Sequence, residues 1–150
     1  MKIGEVIKQV KFRDSYHKAL VNLIYTSNWL RDANGKLFRE HDILSQHYNV
    51  LRIIKGKHPE PISPGEIKEV MLDKASDVTR LIDKLVAKGL VNRGLCEANR
   101  RKMDVTITPA GEELIQTLEK PISKLHNQLK KRISPEEAEQ LSALLDALRG

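Results

Sequence analysis

The chain of 150 residues lacks most of the features that mark enzymes, secreted proteins and membrane proteins. A single cysteine excludes an intramolecular disulfide framework. There is no run of about 20 apolar residues and no apolar stretch after the first lysines, so we expect neither a transmembrane helix nor a signal peptide and predict a cytoplasmic protein. Phosphate-binding glycine loops, HExxH and GxSxG are also missing. We therefore predict that the protein is not an enzyme and uses no cofactor.

Positive charge is concentrated in two segments of an otherwise mixed sequence. The formal net charge is +6 and the isoelectric point is about 9.5. Basic residues outnumber acidic ones across 73–104 and occur without acidic ones across 124–132, whereas 134–150 is mainly acidic. Such segregation favours a polyanionic partner, nucleic acid before membrane.

Residues 73–89 predict an amphipathic helix. Asp73 is placed to cap its start, and Gly89 to end it in a left-handed conformation. The apolar stripe at helical spacing is Val78, Leu81, Ile82, Leu85 and Val86.

Residues 90–108 predict a β-hairpin directly after that helix. Met103, Val105 and Ile107 alternate with polar residues, which is typical of a half-buried strand. Residues 90–95 can pair with this strand, leaving 96–102 as a basic loop. This order predicts a winged helix-turn-helix, whose helix enters the major groove of double-stranded DNA while the wing reaches the backbone or minor groove.

Two further helices are predicted before this segment. Ser45 is expected to cap the first of them. Ser63 and Glu66 form a capping box around a proline, which predicts the start of a short second helix. Ile67 and Val70 are expected to face inwards from it. This short helix and the longer one that follows it, which carries Arg80, form the predicted helix-turn-helix pair.

The segments outside 44–108 predict long amphipathic helices. Residues 13–34 carry a wide apolar stripe that Gly35 is expected to end, and 109–150 hold two more helices, the first kinked or missing helical hydrogen bonds near Pro121. Their apolar surface exceeds what the central domain can cover, so we expect a homodimer. The predicted fold is mainly α with a small β-hairpin wing: a winged helix-turn-helix DNA-binding domain with N- and C-terminal dimerisation helices.

Two segments resemble the MarR family of bacterial transcriptional regulators. One is DVTRLIDKLVAKGLVNR, residues 77–93, and the other joins NRR at 99–101 to ITPAG at 107–111. The resemblance covers nearly the whole chain and implies a homodimer that represses transcription at a pseudo-palindromic operator, with release by a small lipophilic or aromatic effector. Asn99 departs from the family pattern, which usually has an aspartate there that pairs with an arginine and holds the wing.

The residues expected to contact DNA lie on the outward face of the helix and at the wing tip. Arg80 is the main candidate for base recognition, through a bidentate contact to guanine, although a phosphate contact would suit the same position. Asp77 is expected to orient its guanidinium group, and Arg93 to brace the wing at its base. The predicted set is Lys74, Ser76, Asp77, Thr79, Arg80, Lys84, Arg100, Arg101 and Lys102.

Aromatic residues make up 4% of the chain, and four of them are candidates for lining an effector pocket. They are Tyr25, Trp29, Phe38 and Tyr48, for which core packing is an equally good account. Cys96 is interpreted as an ordinary thiol rather than a redox sensor, because no second cysteine is present. The histidine spacing matches no tight zinc motif, so no metal site is predicted.

Two alternative functions stay open on the sequence alone. Asp77, an acidic residue on the expected DNA-facing surface, and Asn99 favour a winged protein-interaction module that no longer reads DNA. The cluster of histidines around His41 and His47 favours a metal-dependent regulator.

Overall fold

The computed structural model describes residues 1–95 and 103–150, and it confirms a mainly helical fold with one antiparallel hairpin. None of the helices in these ranges is long and apolar enough to cross a membrane. The elements are α1 (Ile3–Val6), α2 (Ser15–Arg39), α3 (Ser45–Lys57), α4 (Pro64–Val70), α5 (Val78–Ala87), β1 (Val91–Leu95), β2 (Met103–Ile107), α6 (Pro109–Lys130) and α7 (Pro135–Arg149).

The main hydrophobic core lies between α3, α4, α5 and the hairpin. The apolar stripe predicted for α5 is confirmed, since four of its five residues are buried and Val86 packs against the core. Ile115 of α6 reaches the same core, so the first half of α6 belongs to the central domain as well as to the outer helices. The core residues are Val50, Leu51, Ile54, Ile62, Ile67, Met71, Val78, Leu81, Ile82, Leu85, Leu90, Val91, Val105, Ile107 and Ile115.

The start of α4 is the predicted capping box. The Ser63 hydroxyl accepts a hydrogen bond from the Glu66 amide at 3.3 Å, and the Glu66 carboxylate accepts one from the Ser63 amide at 2.9 Å. The prediction that Val70 faces inwards is wrong, because its side chain is 59% exposed. The helix ends at Val70. Met71, which follows it, has an extended backbone, and it is the Met71 side chain that is buried in the core.

The prediction that α2 ends at Gly35 is also wrong. The helix continues to Arg39, and Phe38 packs with Ile43 and Leu118 in a second, smaller core. The burial of Phe38 offsets the low helix propensity of a single glycine, which costs about 1 kcal/mol relative to alanine.

The chain leaves α2 through a left-handed turn. Asp42 has φ of 52°, its amide donates to the Arg39 carbonyl at 3.0 Å, and the Ile43 amide donates to the Phe38 carbonyl at 3.1 Å. This is a Schellman closure, with the apolar contact between Phe38 and Ile43 that usually accompanies it. It fixes the direction in which the Asp42 side chain leaves the backbone.

The predicted cap of α3 needs correction. Ser45 is the first helical residue, and Leu44 occupies the cap position. Leu44 has no polar side chain, and its amide donates a hydrogen bond to His47 Nδ1 at 3.0 Å. The imidazole therefore takes the place that a glutamate usually has in a capping box.

The hairpin has the two predicted strands, with β1 beginning one residue later than expected. Val91 pairs with Ile107 and Leu95 with Met103. The predicted loop, residues 96–102, lies outside the described residues. Ile62 adds a short antiparallel bridge to Val105, which ties the segment before α4 to the base of the wing.

The hairpin leads directly into α6 through a tight joint. The Thr108 hydroxyl accepts from the Gly111 amide at 3.1 Å, which caps α6, and donates to the Gly89 carbonyl at 2.7 Å. A Cβ atom at Gly111 would lie 2.2 Å from the Leu90 carbonyl oxygen, so only glycine fits there. The helix continues through Pro121, which lacks the amide proton for one helical hydrogen bond, as predicted.

Candidate nucleic-acid interface

Asp77, not Asp73, caps the helix expected to enter DNA. Its carboxylate accepts from the Arg80 amide at 3.2 Å, the bond that an N-cap makes. The predicted role of Asp77 in orienting the Arg80 guanidinium is therefore replaced by a bond to the backbone of the same residue. An acidic residue at this position is explained by the helix, whose N-terminus carries partial positive charge.

Asp73 organises the turn before α5. Its carboxylate accepts hydrogen bonds from the Ser76 hydroxyl at 2.8 Å, the Ala75 amide at 3.0 Å and the Gln46 side chain at 3.3 Å. The bond from Ser76, followed by that from Gln46, lowers the pKa of Asp73 below its usual value. Ser76, a predicted DNA contact, is thus partly buried and already engaged by its neighbour.

Arg80 lies exposed on the first turn of α5, next to exposed Thr79. Among the residues that the structure describes, its guanidinium group makes no hydrogen bond or ion pair. Arg80 borders a surface groove of about 390 Å³ at the start of α5. The groove is lined by Leu44, Gln46, His47, Ser76, Asp77, Arg80, Leu81 and Lys84.

Lys74 is engaged in the turn that precedes α5. Its ammonium group donates to the carbonyl oxygens of Lys68, at 3.2 Å, and of Glu69. In return, the Lys68 ammonium group donates to the Ser76 carbonyl at 2.6 Å. The Lys68 and Glu69 carbonyls lie in the last turn of α4, so Lys74 satisfies a helix C-terminus, where positive charge is favourable.

Lys84 and Lys88 are both paired with Asp42. Lys84 Nζ lies 3.0 Å from Asp42 Oδ1, and Lys88 Nζ lies 3.3 Å from Asp42 Oδ2. The hydrogen bond from Lys84, then that from Lys88, lowers the pKa of the Asp42 carboxyl. A residue of the α2–α3 connection thereby holds two cations of α5.

Arg93 braces the wing as predicted. Its guanidinium group pairs with the Asp83 carboxylate, which links β1 to the outward side of α5. Arg100, Arg101 and Lys102, the predicted wing-tip contacts, lie outside the described residues, as do Cys96 and Asn99, and the predictions made for them remain predictions.

Sequence analysis missed the capping role of His47 at the start of α3. Its side chain is only 4% exposed, and Nδ1 is occupied by the Leu44 amide, so this nitrogen is not available to a metal ion. Burial, and then the charge of Lys84, lowers the pKa of the imidazole. In residues 1–95 and 103–150, no group of three histidine, cysteine or acidic side chains could hold a metal ion.

The four predicted effector-pocket residues fall into two pairs. The rings of Phe38 and Tyr48 pack together, with centroids 5.1 Å apart. Tyr25 and Trp29 lie one turn apart on α2 and are both exposed, and the Arg132 guanidinium lies 5.6 Å from the centre of the Trp29 ring. Core packing therefore accounts for the first pair, and the second pair is the accessible one.

Comparisons with known proteins agree with this architecture. A model of the MarR family matches residues 41–102. A MarR transcription factor from Planctomyces limnophilus is 30% identical, with alignment over 91% of this chain and 99% of that one and a TM-score of 0.70. A mutant MarR from E. coli, complexed with operator DNA, is 27% identical over 90% and 98% of the two chains, with a TM-score of 0.73. The MepR–DNA complex of S. aureus, 20% identical over 92% and 97%, shares the fold with a TM-score of 0.76.

Proposed function

The chain belongs to the MarR family of transcriptional regulators, and from this we propose that it binds a pseudo-palindromic operator as a homodimer and represses transcription. The E. coli relative was crystallised with its operator DNA, and it aligns with this chain over 90% of the length. Binding to the promoter is sufficient for repression, because an occupied promoter excludes polymerase. The basic chain, with a net charge of +6, supplies the general attraction to DNA.

The observation that carries this proposal is the exposed guanidinium group of Arg80. It is the exposed cation of α5 that has no partner in the described part of the chain, whereas Lys84 and Lys88 are paired. A free guanidinium on the first turn of a recognition helix can make two hydrogen bonds to the O6 and N7 atoms of guanine. We assign base recognition to Arg80 and contact with phosphate to Thr79 and the wing.

The outer helices supply the surface for a second copy of the chain. Large apolar side chains are exposed along α2 and α7, where nothing in the described chain covers them. A two-fold dimer would bury both stripes and set two α5 helices about one DNA turn apart. The exposed residues on these helices include Tyr16, Leu20, Ile24, Leu141, Leu144 and Leu148.

We place the effector, a small lipophilic or aromatic molecule, against Tyr25 and Trp29 on the exposed side of α2. A ligand there would contact the same helix that ends at the Asp42 turn. It would release DNA by favouring a dimer in which the two α5 helices no longer match the operator spacing.

The test is binding to the upstream intergenic DNA of the protein's own gene at two salt concentrations. The wild-type chain should protect a short palindrome at physiological salt. Arg80→Ala should lose about 1–3 kcal/mol of discrimination between that site and a scrambled duplex. Arg149→Ala, which removes the same charge from the end of α7, should bind as the wild type does.

One result would overturn specific regulation. If the wild type binds all duplexes equally and a modest increase in salt abolishes that binding, the chain does not read sequence. A winged protein-interaction module would then be the better assignment.

A further inference from the structure

The Asp42 carboxylate is held in place before any DNA binds. Its backbone is fixed in the left-handed turn that closes α2, and the following residue, Ile43, is buried in the smaller core. From this position one carboxylate reaches two ammonium groups that stand one helical turn apart on α5. Little conformational entropy is lost on the acidic side of these pairs, because the turn has already been ordered by packing.

Lys84 belongs to the surface predicted to contact DNA, and Lys88 lies one helical turn further along the chain, paired with the same carboxylate. Lys84 lines the same groove as Arg80, and Lys88 is the C-cap residue directly after α5. Without Asp42 they would present two positive charges beside the Arg80 guanidinium, to which base recognition is assigned. Contacts between lysine and phosphate add affinity for every sequence equally, so they lower the ratio of specific to non-specific binding.

We propose that Asp42 is a specificity-determining residue, which withholds Lys84 and Lys88 from DNA phosphates and so leaves recognition to Arg80. This inference rests on the proposed function and deepens it. An exposed ion pair adds little to stability, and the Asp42 side chain is 75% exposed. Its effect on DNA depends on position instead: even when a hydrogen bond opens, the carboxylate stays within a Debye length, about 8 Å, of both ammonium groups.

Asp42→Asn is the decisive variant, because asparagine has the same shape and tolerates the left-handed turn. Its binding to a random-sequence duplex should be tighter than that of the wild type. The plot of log Kd against log salt should steepen by about 0.9 for each phosphate newly contacted, up to about 1.8 for two lysines. The ratio of operator to random-duplex affinity should fall.

Two controls separate this mechanism from a general change in charge. Asp146→Asn removes an equally exposed carboxylate from α7 and should leave the salt slope unchanged. In a Lys84→Gln/Lys88→Gln background, Asp42→Asn should have no further effect on the slope.

The outcomes that would overturn the inference are distinct. An unchanged slope in Asp42→Asn, or weaker binding at the same slope, would make Asp42 only a brace between α2 and α5. A steeper slope that persists without the two lysines would assign the effect to net charge. If the wild type binds no duplex even at low salt, the proposed function itself fails.

Discussion

At the scale of single residues, the hydrogen bond that caps the start of α3 depends on whether the His47 imidazole is neutral. Nδ1 accepts the Leu44 amide, so protonation would replace an acceptor with a donor and break that bond. Burial and the nearby Lys84 and Lys88 lower the pKa of His47, and Asp42 opposes them only in part. The folded protein therefore binds this proton less readily than the unfolded chain, in which the pKa is about 6.5.

This difference predicts a pH-dependent loss of stability. The contribution of neutral His47 is fully present above about pH 6.5 and is lost as the pH falls from there through the lowered pKa of the folded state. Urea unfolding at pH 7.5 and 5.5 should show a larger loss for the wild type than for His47→Gln, which keeps a capping side chain without titrating. His126→Gln, at an exposed position, should behave as the wild type; equal losses in all three proteins would contradict the prediction.

At the scale of elements, the start of α5 depends on Asp77. Asp77→Ala removes the acceptor of the Arg80 amide and should lower the free energy of unfolding by about 1 kcal/mol. Asp77→Asn keeps a good N-cap and should lose only the electrostatic part, a few tenths of a kcal/mol. Urea midpoints at one pH would measure both, and equal losses in the two variants would show that capping is not the source of the stability.

Local signals explain why most helices could be predicted from the sequence. Ser63, Thr108 and Ser134 each precede a proline at the first helical position, and each of the three caps the helix that follows it. Asp73 and Asp77 are chemically equivalent caps, but the Asp73 carboxylate is engaged by Ser76, Ala75 and Gln46, and Asp77 begins α5. The bond from Gln46, 27 residues away in sequence, could not be read from a local pattern.

The exposed face of α5 could be predicted from local patterns, but its contacts with distant segments could not. Helical periodicity correctly placed Arg80 on the exposed side of α5, because that inference needs only the apolar stripe. It also placed Lys84 there, but it could not reveal the pairing with Asp42, which lies in another connection and is 42 residues away in sequence. The burial of Phe38, which extends α2 past Gly35, is likewise a contact between distant segments.

At the scale of the whole molecule, the outer helices should determine the oligomeric state. Leu144 is 70% exposed on α7, so Leu144→Glu should leave the fold of one chain intact while placing a charge in the dimer interface. We expect a monomer by light scattering, with weaker operator binding because two half-sites are no longer joined.

Leu72→Glu is the matched control for this change. Leu72 is 88% exposed and follows α4 rather than lying on an outer helix, so this variant should remain dimeric. A dimeric Leu144→Glu protein would place the interface elsewhere on the molecule.

The contact between α6 and the hairpin has a mechanical consequence. The Thr108 amide and hydroxyl hold the Leu90 and Gly89 carbonyls, and a single methyl group at Gly111 would not fit against Leu90. Helix α6 and the strands of the wing must therefore move together as one rigid unit. A rotation of α6 imposed by a partner chain would therefore be passed directly to the two strands of the wing.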